Sequence, residues 1–188
     1  VAWVRMGYTD LAISVNVSPS QIHGGEIVIH VREALARHGL EPRHLELEVL
    51  ESMAVDDTSG TNSILAELRE MGVGIALDDF GTGYSSLVYL TQLPANVLKI
   101  DRGFIVPLLS DKRQQAIVER IISLAKALNY VVVAEGVEEV DQMRLLVDMG
   151  CDLFQGYLFS KPLSATDFVS FFERSASHPP IAELAGES

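Results

Sequence analysis

Apolar and polar residues alternate along the chain in two different patterns. Short runs rich in Val, Ile and Leu are separated by longer segments in which apolar residues recur every three or four positions. The short runs predict strands that are covered on both faces, as in parallel sheets, and the longer segments predict helices. Six strands are predicted, over residues 11–17, 44–50, 73–78, 96–100, 130–134 and 152–154.

The helical segments between these strands carry apolar stripes that we expect to face a core. One stripe contains Ile64, Leu65, Leu68 and Met71, and another contains Ile117, Ile121, Leu124, Ala125 and Leu128. Gly39, Gly72 and Gly150 stand directly before strands, where a glycine ends a helix readily in the left-handed conformation. This βα alternation fits an open doubly wound sheet or part of a (β/α)₈ barrel, and counting strands does not decide between them.

Composition restricts the class of protein. The 188 residues include 48% apolar residues, enough for a single core in residues 1–174, and the polar, proline-containing segment 175–188 predicts a flexible tail. The formal net charge of −12 disfavours binding to DNA or to anionic membranes. One cysteine and the lack of any long apolar run predict a soluble, cytoplasmic protein.

Polar side chains stand at the carboxyl end of every predicted strand. Taken singly, each is most often a helix cap or a turn former. In a barrel, however, parallel strands deliver their last residues to one mouth, which is where such folds keep their active sites. The residues are Asn16, Glu48, Asp78, Asp79, Lys99, Asp101, Glu135 and Gln155.

Clustered carboxylates repel one another unless a cation lies among them, so this pattern predicts a metal site. Oxygen ligands favour Mg²⁺ or Mn²⁺ over zinc, and the adjacent Asp78 and Asp79 suggest two ions about 3.5–4 Å apart, a spacing suited to phosphoester hydrolysis. Lys99 is a candidate to orient the attacking nucleophile or to stabilise charge on a phosphate. The alternative for Lys99 is an ordinary salt bridge to Asp101 or Asp78.

Six segments in chain order resemble the EAL-type cyclic-di-GMP phosphodiesterases of bacterial signalling. The most specific segment is LDDFGTGYSSL at residues 77–87. The others are VNVS at 15–18, LELEVLES at 45–52, LKIDR at 98–102, AEGVE at 134–138 and QGYLFSKP at 155–162. The resemblance implies a modified (β/α)₈ barrel with an antiparallel first strand, which hydrolyses cyclic di-GMP to linear pGpG with Mg²⁺ or Mn²⁺.

The same resemblance implies a role for each site residue. Asn16, Glu48 and Asp78 would bind one metal ion, and Asp78, Asp79 and Glu135 would serve a second. Lys99 would orient the attacking water, while Asp101 and Gln155 would contact the dinucleotide. Glu51 would hold the loop after Asp79, and Glu138 would support Glu135. A loop helix near Ser85 lies where members of this family pair, which predicts a homodimer.

The match departs from the family at its signature. The Glu-Ala-Leu strand that precedes Asn16 in the family is missing, and the tripeptide at residues 33–35 is a coincidence, because it follows Asn16 and Glu33 faces solvent on a helix. Six strands also fall short of eight. We therefore expect a piece of a longer parent chain with fused sensory or cyclase domains, and impaired activity in this piece.

Two other functions compete with hydrolysis. A non-catalytic module would bind cyclic di-GMP or transmit signals without cleaving it, although the retained ligands disfavour this. An enolase-type enzyme would use metal-bound carboxylates and a barrel lysine to abstract a proton. The loop at residues 78–86 disfavours that chemistry.

Overall fold

Six strands form the centre of the structure. The computed structural model describes residues 1–52, 60–81 and 90–177. The strands are β1 (Ile13–Asn16), β2 (Leu45–Leu50), β3 (Gly74–Phe80), β4 (Val97–Ile100), β5 (Val131–Glu135) and β6 (Leu153–Gln155). Each strand pairs with the next in chain order, and all five pairings are parallel. All six predicted strands are therefore confirmed, and β3 continues beyond its predicted end at Asp78 to Phe80.

Helices connect and flank these strands. They are α1 (Ala2–Arg5), α2 (Pro19–His23), α3 (Glu26–His38), α4 (Thr61–Glu70), α5 (Arg102–Ile105), α6 (Lys112–Ala127), α7 (Val140–Asp148) and α8 (Ala165–Ser177), with a 3₁₀ turn at Pro42–His44. Gly39, Gly72 and Gly150 all have positive φ just after a helix, as predicted. Glu33 is exposed on α3, in agreement with its assignment as a chance match to the signature.

The strand order decides between the two predicted architectures. A doubly wound sheet reverses its order at a switch point, whereas the order here runs from β1 to β6 without reversal. The sheet is a curled half-barrel of the TIM type with six of the eight strands. No strand among the described residues runs antiparallel, so the antiparallel strand that the resemblance implies is not one of these six.

The core lies between the sheet and its helices. Leu77, Leu98 and Val132, on three neighbouring strands, are fully buried. On α4 the predicted stripe is confirmed at Leu65 and Leu68.

The predicted stripe on α6 is confirmed except at Ile117. Ala125 is buried, and Ile121, Leu124 and Leu128 pack against the core. Val118, Ile122 and Ala125 are the residues that α6 buries, and Ile117 is 45% exposed. Ile117 and Ile121 also line a surface cavity of about 480 Å³, so the apolar positions of α6 extend beyond its buried face.

The two ends of the described chain contact each other. Trp3 lies against Phe168, with ring centroids 4.7 Å apart, and Tyr8 lies edge-on against Phe172. Helix α8 runs past the predicted domain boundary at residue 174, and most of the predicted tail, residues 178–188, lies outside the described residues. In the part of the chain that is described, no helix is both long and apolar enough to cross a membrane.

Candidate functional site

The register of the sheet brings the predicted polar residues to one rim. Alternate residues of a strand share a face, and the parallel pairings match Asn16 with Glu48 and Glu135 with Gln155. Glu48 is level with Ala76, so it shares the face of Asp78, two residues further along β3. The inner face of the half-barrel therefore ends in a ring of polar side chains at the carboxyl ends of its strands.

A bulge in β3 makes two successive residues available to this rim. Neighbouring strand residues normally point to opposite faces. Leu77 pairs with Leu98 and Phe80 pairs with Ile100, so β3 uses one more residue than β4 over this interval. Asp79 has φ of 55° in the bulge, a left-handed conformation that aspartate tolerates better than most residues. The bulge allows the carboxylates of Asp78 and Asp79 to approach the same point.

Lys99 lies at the centre of the rim. Its Nζ is 2.7 Å from Glu48 Oε1, 3.0 Å from Asp78 Oδ1 and 2.6 Å from Glu135 Oε1. The Lys99 side chain is only 6% exposed. The predicted alternative, a salt bridge to Asp78, is therefore present, whereas no ion pair between Lys99 and Asp101 is found among the described residues.

Burial and charge shift the pKa values of the rim in ways that follow from this packing. Burial acts to lower the pKa of Lys99, but hydrogen bonds to Glu135 and Glu48 outweigh it and raise the pKa above its usual range. Burial raises the pKa of Glu135, against the opposing effect of Lys99. The pKa of Asp79 is raised by burial and by the neighbouring carboxylates of Asp78 and Asp101. The rim therefore holds more negative charge than one lysine neutralises.

Three carboxylates of the rim are close enough to share an ion. Oxygen atoms of Asp78, Asp79 and Glu135 lie within 4.8 Å of one another. Buried Asp78 Oδ1 lacks a partner in hydrogen-bond geometry among the described residues, although Lys99 Nζ is 3.0 Å away. Such acceptor-only oxygens are the ligands that Mg²⁺ and Mn²⁺ prefer. The residues present therefore fit a hard divalent cation.

Glu51 connects the end of β2 to the segment after Asp79. Its side chain is buried, and Oε2 accepts a hydrogen bond from Gly81 N at 2.8 Å. This bond fixes the backbone immediately after the β3 bulge. The loop helix predicted near Ser85 falls in residues 82–89, which lie outside the described residues.

Asp101 begins α5 directly after β4. Its Oδ1 accepts a hydrogen bond from Gly103 N at 2.9 Å and so caps the amino end of this short helix. Asp101 also raises the pKa of Asp79, which indicates that the two carboxylates are near each other.

Arg102 is a residue of this rim that the sequence analysis did not assign. Its guanidinium donates to Glu138 Oε1 at 2.8 Å, and its aliphatic chain covers Gly136. A Cβ on Gly136 would lie 2.3 Å from Arg102 Cγ, and φ of Gly136 is +73°, so only glycine fits here. Arg102 therefore braces the loop that leaves β5 at Glu135. Its place in the LKIDR segment is the signal that could have suggested it.

The outermost strands place their polar residues differently. Asn16 on β1 and Gln155 on β6 are exposed. Gln155 is held by its backbone, because its carbonyl accepts a hydrogen bond from Val137 N. A Cβ at Gly156 would lie 2.1 Å from Val137 O, so the β6 end requires glycine to pack against the loop after β5.

Comparison with known proteins agrees with this arrangement. The family model described as EAL domain matches residues 2–162. The bifunctional diguanylate cyclase/cyclic di-GMP phosphodiesterase MucR of Pseudomonas aeruginosa is 49% identical over 168 residues, 89% of this chain. That alignment covers 24% of MucR, so the chain spans about a quarter of the length of this curated relative.

Solved structures of similar sequence share the fold. The PaMucR phosphodiesterase in complex with c-di-GMP superimposes with a TM-score of 0.85 at 49% identity, over 89% of this chain and 68% of the other. BlrP1 of Klebsiella pneumoniae, in a manganese and cy-diGMP complex, has a TM-score of 0.77 at 30% identity, over 85% of this chain and 41% of the other.

Proposed function

This chain belongs to the EAL domain family, and we propose that it contributes the metal-dependent site at which cyclic di-GMP is hydrolysed to linear pGpG. The observation that carries the proposal is the convergence of Asp78, Asp79 and Glu135, whose oxygens lie within 4.8 Å of one another. The relative MucR is named a cyclic di-GMP phosphodiesterase, which supports the choice of substrate. Membership of the EAL domain family also favours phosphodiester hydrolysis over the enolase-type proton abstraction considered above.

The metal ligands in this proposal are those that the resemblance implies. Asn16, Glu48 and Asp78 would hold one Mg²⁺ or Mn²⁺ ion, and Asp78 would be shared with a second ion at Asp79 and Glu135. Such ions make a bound water nucleophilic at neutral pH and offset the charge that develops on phosphate. The bulge at Asp79 is what brings two adjacent carboxylates to this shared position.

The other side chains position the reactants. Lys99 is the buried cation that contacts Glu48, Asp78 and Glu135, and we assign it to orient the attacking water and to stabilise negative charge on the phosphate. Asp101 and Gln155 would contact the dinucleotide. Glu51 holds the backbone at Gly81 in place for this purpose.

A second candidate function is binding of cyclic di-GMP without cleavage. The favouring observation is that the Lys99 ammonium already contacts three of the carboxylates that would hold metal, Glu48, Asp78 and Glu135. A site occupied in this way can recognise a ligand without assembling the catalytic ions. Binding of the dinucleotide with no linear product would favour this function.

The proposal extends to partners that the multidomain relatives suggest. MucR carries diguanylate cyclase activity as well as phosphodiesterase activity, so we propose that the parent chain includes fused cyclase or sensory domains. We also propose a homodimer and a cytoplasmic location. The free, buried Cys151 suits the reducing environment of that compartment.

The test is turnover of cyclic di-GMP by the 188-residue chain with Mn²⁺, followed by chromatographic separation of linear pGpG. We expect slow turnover that is lost on chelation, because β1 is an exposed edge strand beside the rim and the family's signature glutamate is not among the rim residues that the structure describes. Linear pGpG formed at an unchanged rate after chelation would contradict a metal-dependent site, and full activity would contradict the expected impairment.

A further inference from the structure

Lys99 contacts three carboxylates of the protein, and its proposed catalytic role does not require these contacts. An ammonium group has three donors. Here the Nζ lies within 3.0 Å of one carboxylate from each of three strands, Glu48 on β2, Asp78 on β3 and Glu135 on β5. A lysine that served only an incoming substrate would not need to hold its ammonium against three carboxylates of the protein.

Electrostatics explain what the ammonium contributes to this arrangement. Asp78, Glu48 and Lys99 are all less than 10% exposed as whole residues. Carboxylates crowded in such a setting repel one another strongly unless a cation lies between them. The ammonium of Lys99 is the positive charge that the described residues supply at this point.

A divalent ion that binds the same oxygens would lie close to the Lys99 ammonium. The atoms that face Lys99 Nζ are Glu48 Oε1, Asp78 Oδ1 and Glu135 Oε1. A Mg²⁺ or Mn²⁺ ion binds such oxygens at about 2.0–2.2 Å and would lie within a few ångström of Nζ if the lysine stayed in place. The repulsion between the two cations would be large in a buried site.

We propose that Lys99 is an internal counter-cation, which holds the three carboxylates together in the metal-free protein and leaves them when a divalent cation binds. The affinity of the site for metal is then set by competition between the ion and this ammonium. The inference rests on the proposed function, because it takes the carboxylate rim as the metal site. It adds a metal-free state in which the site is already organised.

The test compares Lys99→Met with wild type and with Lys126→Met. Lys126 pairs with Asp152 outside the rim, so Lys126→Met removes an equal charge without touching the site. Manganese binding is measured by calorimetry without substrate. We expect Lys99→Met to bind Mn²⁺ roughly tenfold more tightly or better, because a nearby positive charge is removed, and Lys126→Met to match wild type. Equal or weaker binding by Lys99→Met overturns the inference.

A measurement on the wild-type chain keeps the test independent of the variant's folding. We expect the Lys99 ammonium protons to be protected from solvent exchange in the metal-free protein, because the group is buried and paired, and to lose that protection on saturation with Mg²⁺. Protection that persists in saturating Mg²⁺ overturns the inference even if Lys99→Met does not fold.

The outcomes separate this inference from the proposed function. If wild type binds Mn²⁺ and forms linear pGpG while Lys99→Met gains no affinity, the counter-cation role fails and the proposed function stands. If neither wild type nor Lys99→Met binds Mn²⁺, both fail.

Discussion

The middle of the sheet and its two edges carry the same kind of sequence signal and use it differently. All four residues of β4 are buried, whereas all four residues of β1 are exposed. Each of these strands ends near a polar residue, Lys99 in the middle and Asn16 at the edge. The signal alone therefore does not distinguish a buried, charge-coupled group from a solvated one.

This difference shows that burial determines how strongly a polar residue at a strand end interacts with its neighbours. Lys99 is 6% exposed, and its partners come from strands on both sides of it. In such a setting a charge interacts with its neighbours far more strongly than it would in water. At the edges, Asn16 and Gln155 remain in contact with solvent, which screens them. Substitutions in the middle should therefore have much larger effects than substitutions at the edges.

The largest expected effect follows from Asp78→Asn. This change keeps the size of the side chain and removes the negative charge of the buried Asp78 carboxylate, which we propose as a ligand of both metal ions. We expect the turnover of cyclic di-GMP with saturating Mn²⁺ to fall by about 10²–10³-fold. The assay measures linear pGpG against time.

An edge variant provides the comparison for Asp78→Asn. Gln155→Ala removes an exposed amide from β6 and should cost about tenfold or less, as is usual for a single hydrogen bond to a ligand. A loss at Gln155 as large as that at Asp78 would break the proposed contrast between middle and edge.

The next effect concerns Glu51, which acts on the rim through the backbone. Glu51→Ala leaves Gly81 N without its acceptor, while Glu51→Gln retains an oxygen in its place. We expect kcat/KM to fall by about 10–100-fold in Glu51→Ala, the range for residues that orient metal ligands, and by less in Glu51→Gln. Equal losses in the two variants would show that the charge of Glu51 matters more than the hydrogen bond.

A structural feature could be predicted from the sequence when the interactions that form it lie between residues close together in the chain. The strands were predictable because apolar residues covered on both faces leave a run in the sequence itself. The order of the strands, and with it the barrel, needed the pairing of β3 with β4 and of β4 with β5, which the sequence does not record. The motif resemblance supplied what periodicity could not.

The details of the site were less predictable for the same reason. The bulge at Asp79 exists only in relation to β4, because it is a mismatch between two strands. Lys99 pairs with Glu48 and Glu135, which are far from it in the chain. Arg102 contacts Glu138 across 36 positions, so its bracing role is visible only after folding.

A smaller effect tests the backbone of the bulge. Asp79→Asn and Asp79→Val both remove a carboxylate from the crowded rim, so the difference between them reports on φ of 55°. Asparagine tolerates the left-handed region, whereas a β-branched valine does not. We expect Asp79→Val to be less stable than Asp79→Asn by roughly 1–2 kcal/mol in metal-free urea unfolding. Equal stability would mean that the bulge is not maintained in solution.

The smallest effect concerns an ion pair at the amino end of edge strand β6. Asp152 pairs with Lys126, and its Oδ2 accepts a hydrogen bond from Val132 N at 2.7 Å. Burial acts to raise the pKa of Asp152, but Lys126 and the Val132 amide outweigh it and lower the pKa below its usual range. A carboxyl group with a lowered pKa in the folded state stabilises the protein above its unfolded pKa of about 3.9. That stabilisation is lost as the pH falls through the folded-state pKa.

Asp152→Asn retains an oxygen for Val132 N and removes the charge. Because both partners are about a third or more exposed, solvent screens the pair, and we expect a loss of about 0.5–1 kcal/mol at pH 7 by urea unfolding. The difference in unfolding free energy between wild type and Asp152→Asn should decrease as the pH falls below about 3.9, and it should also decrease in high salt. If the difference in unfolding free energy between the two proteins does not change at low pH, the effect comes from packing and not from the charge of Asp152. Packing would then matter at the edge of the sheet as it does in the middle, despite the greater exposure of the edge.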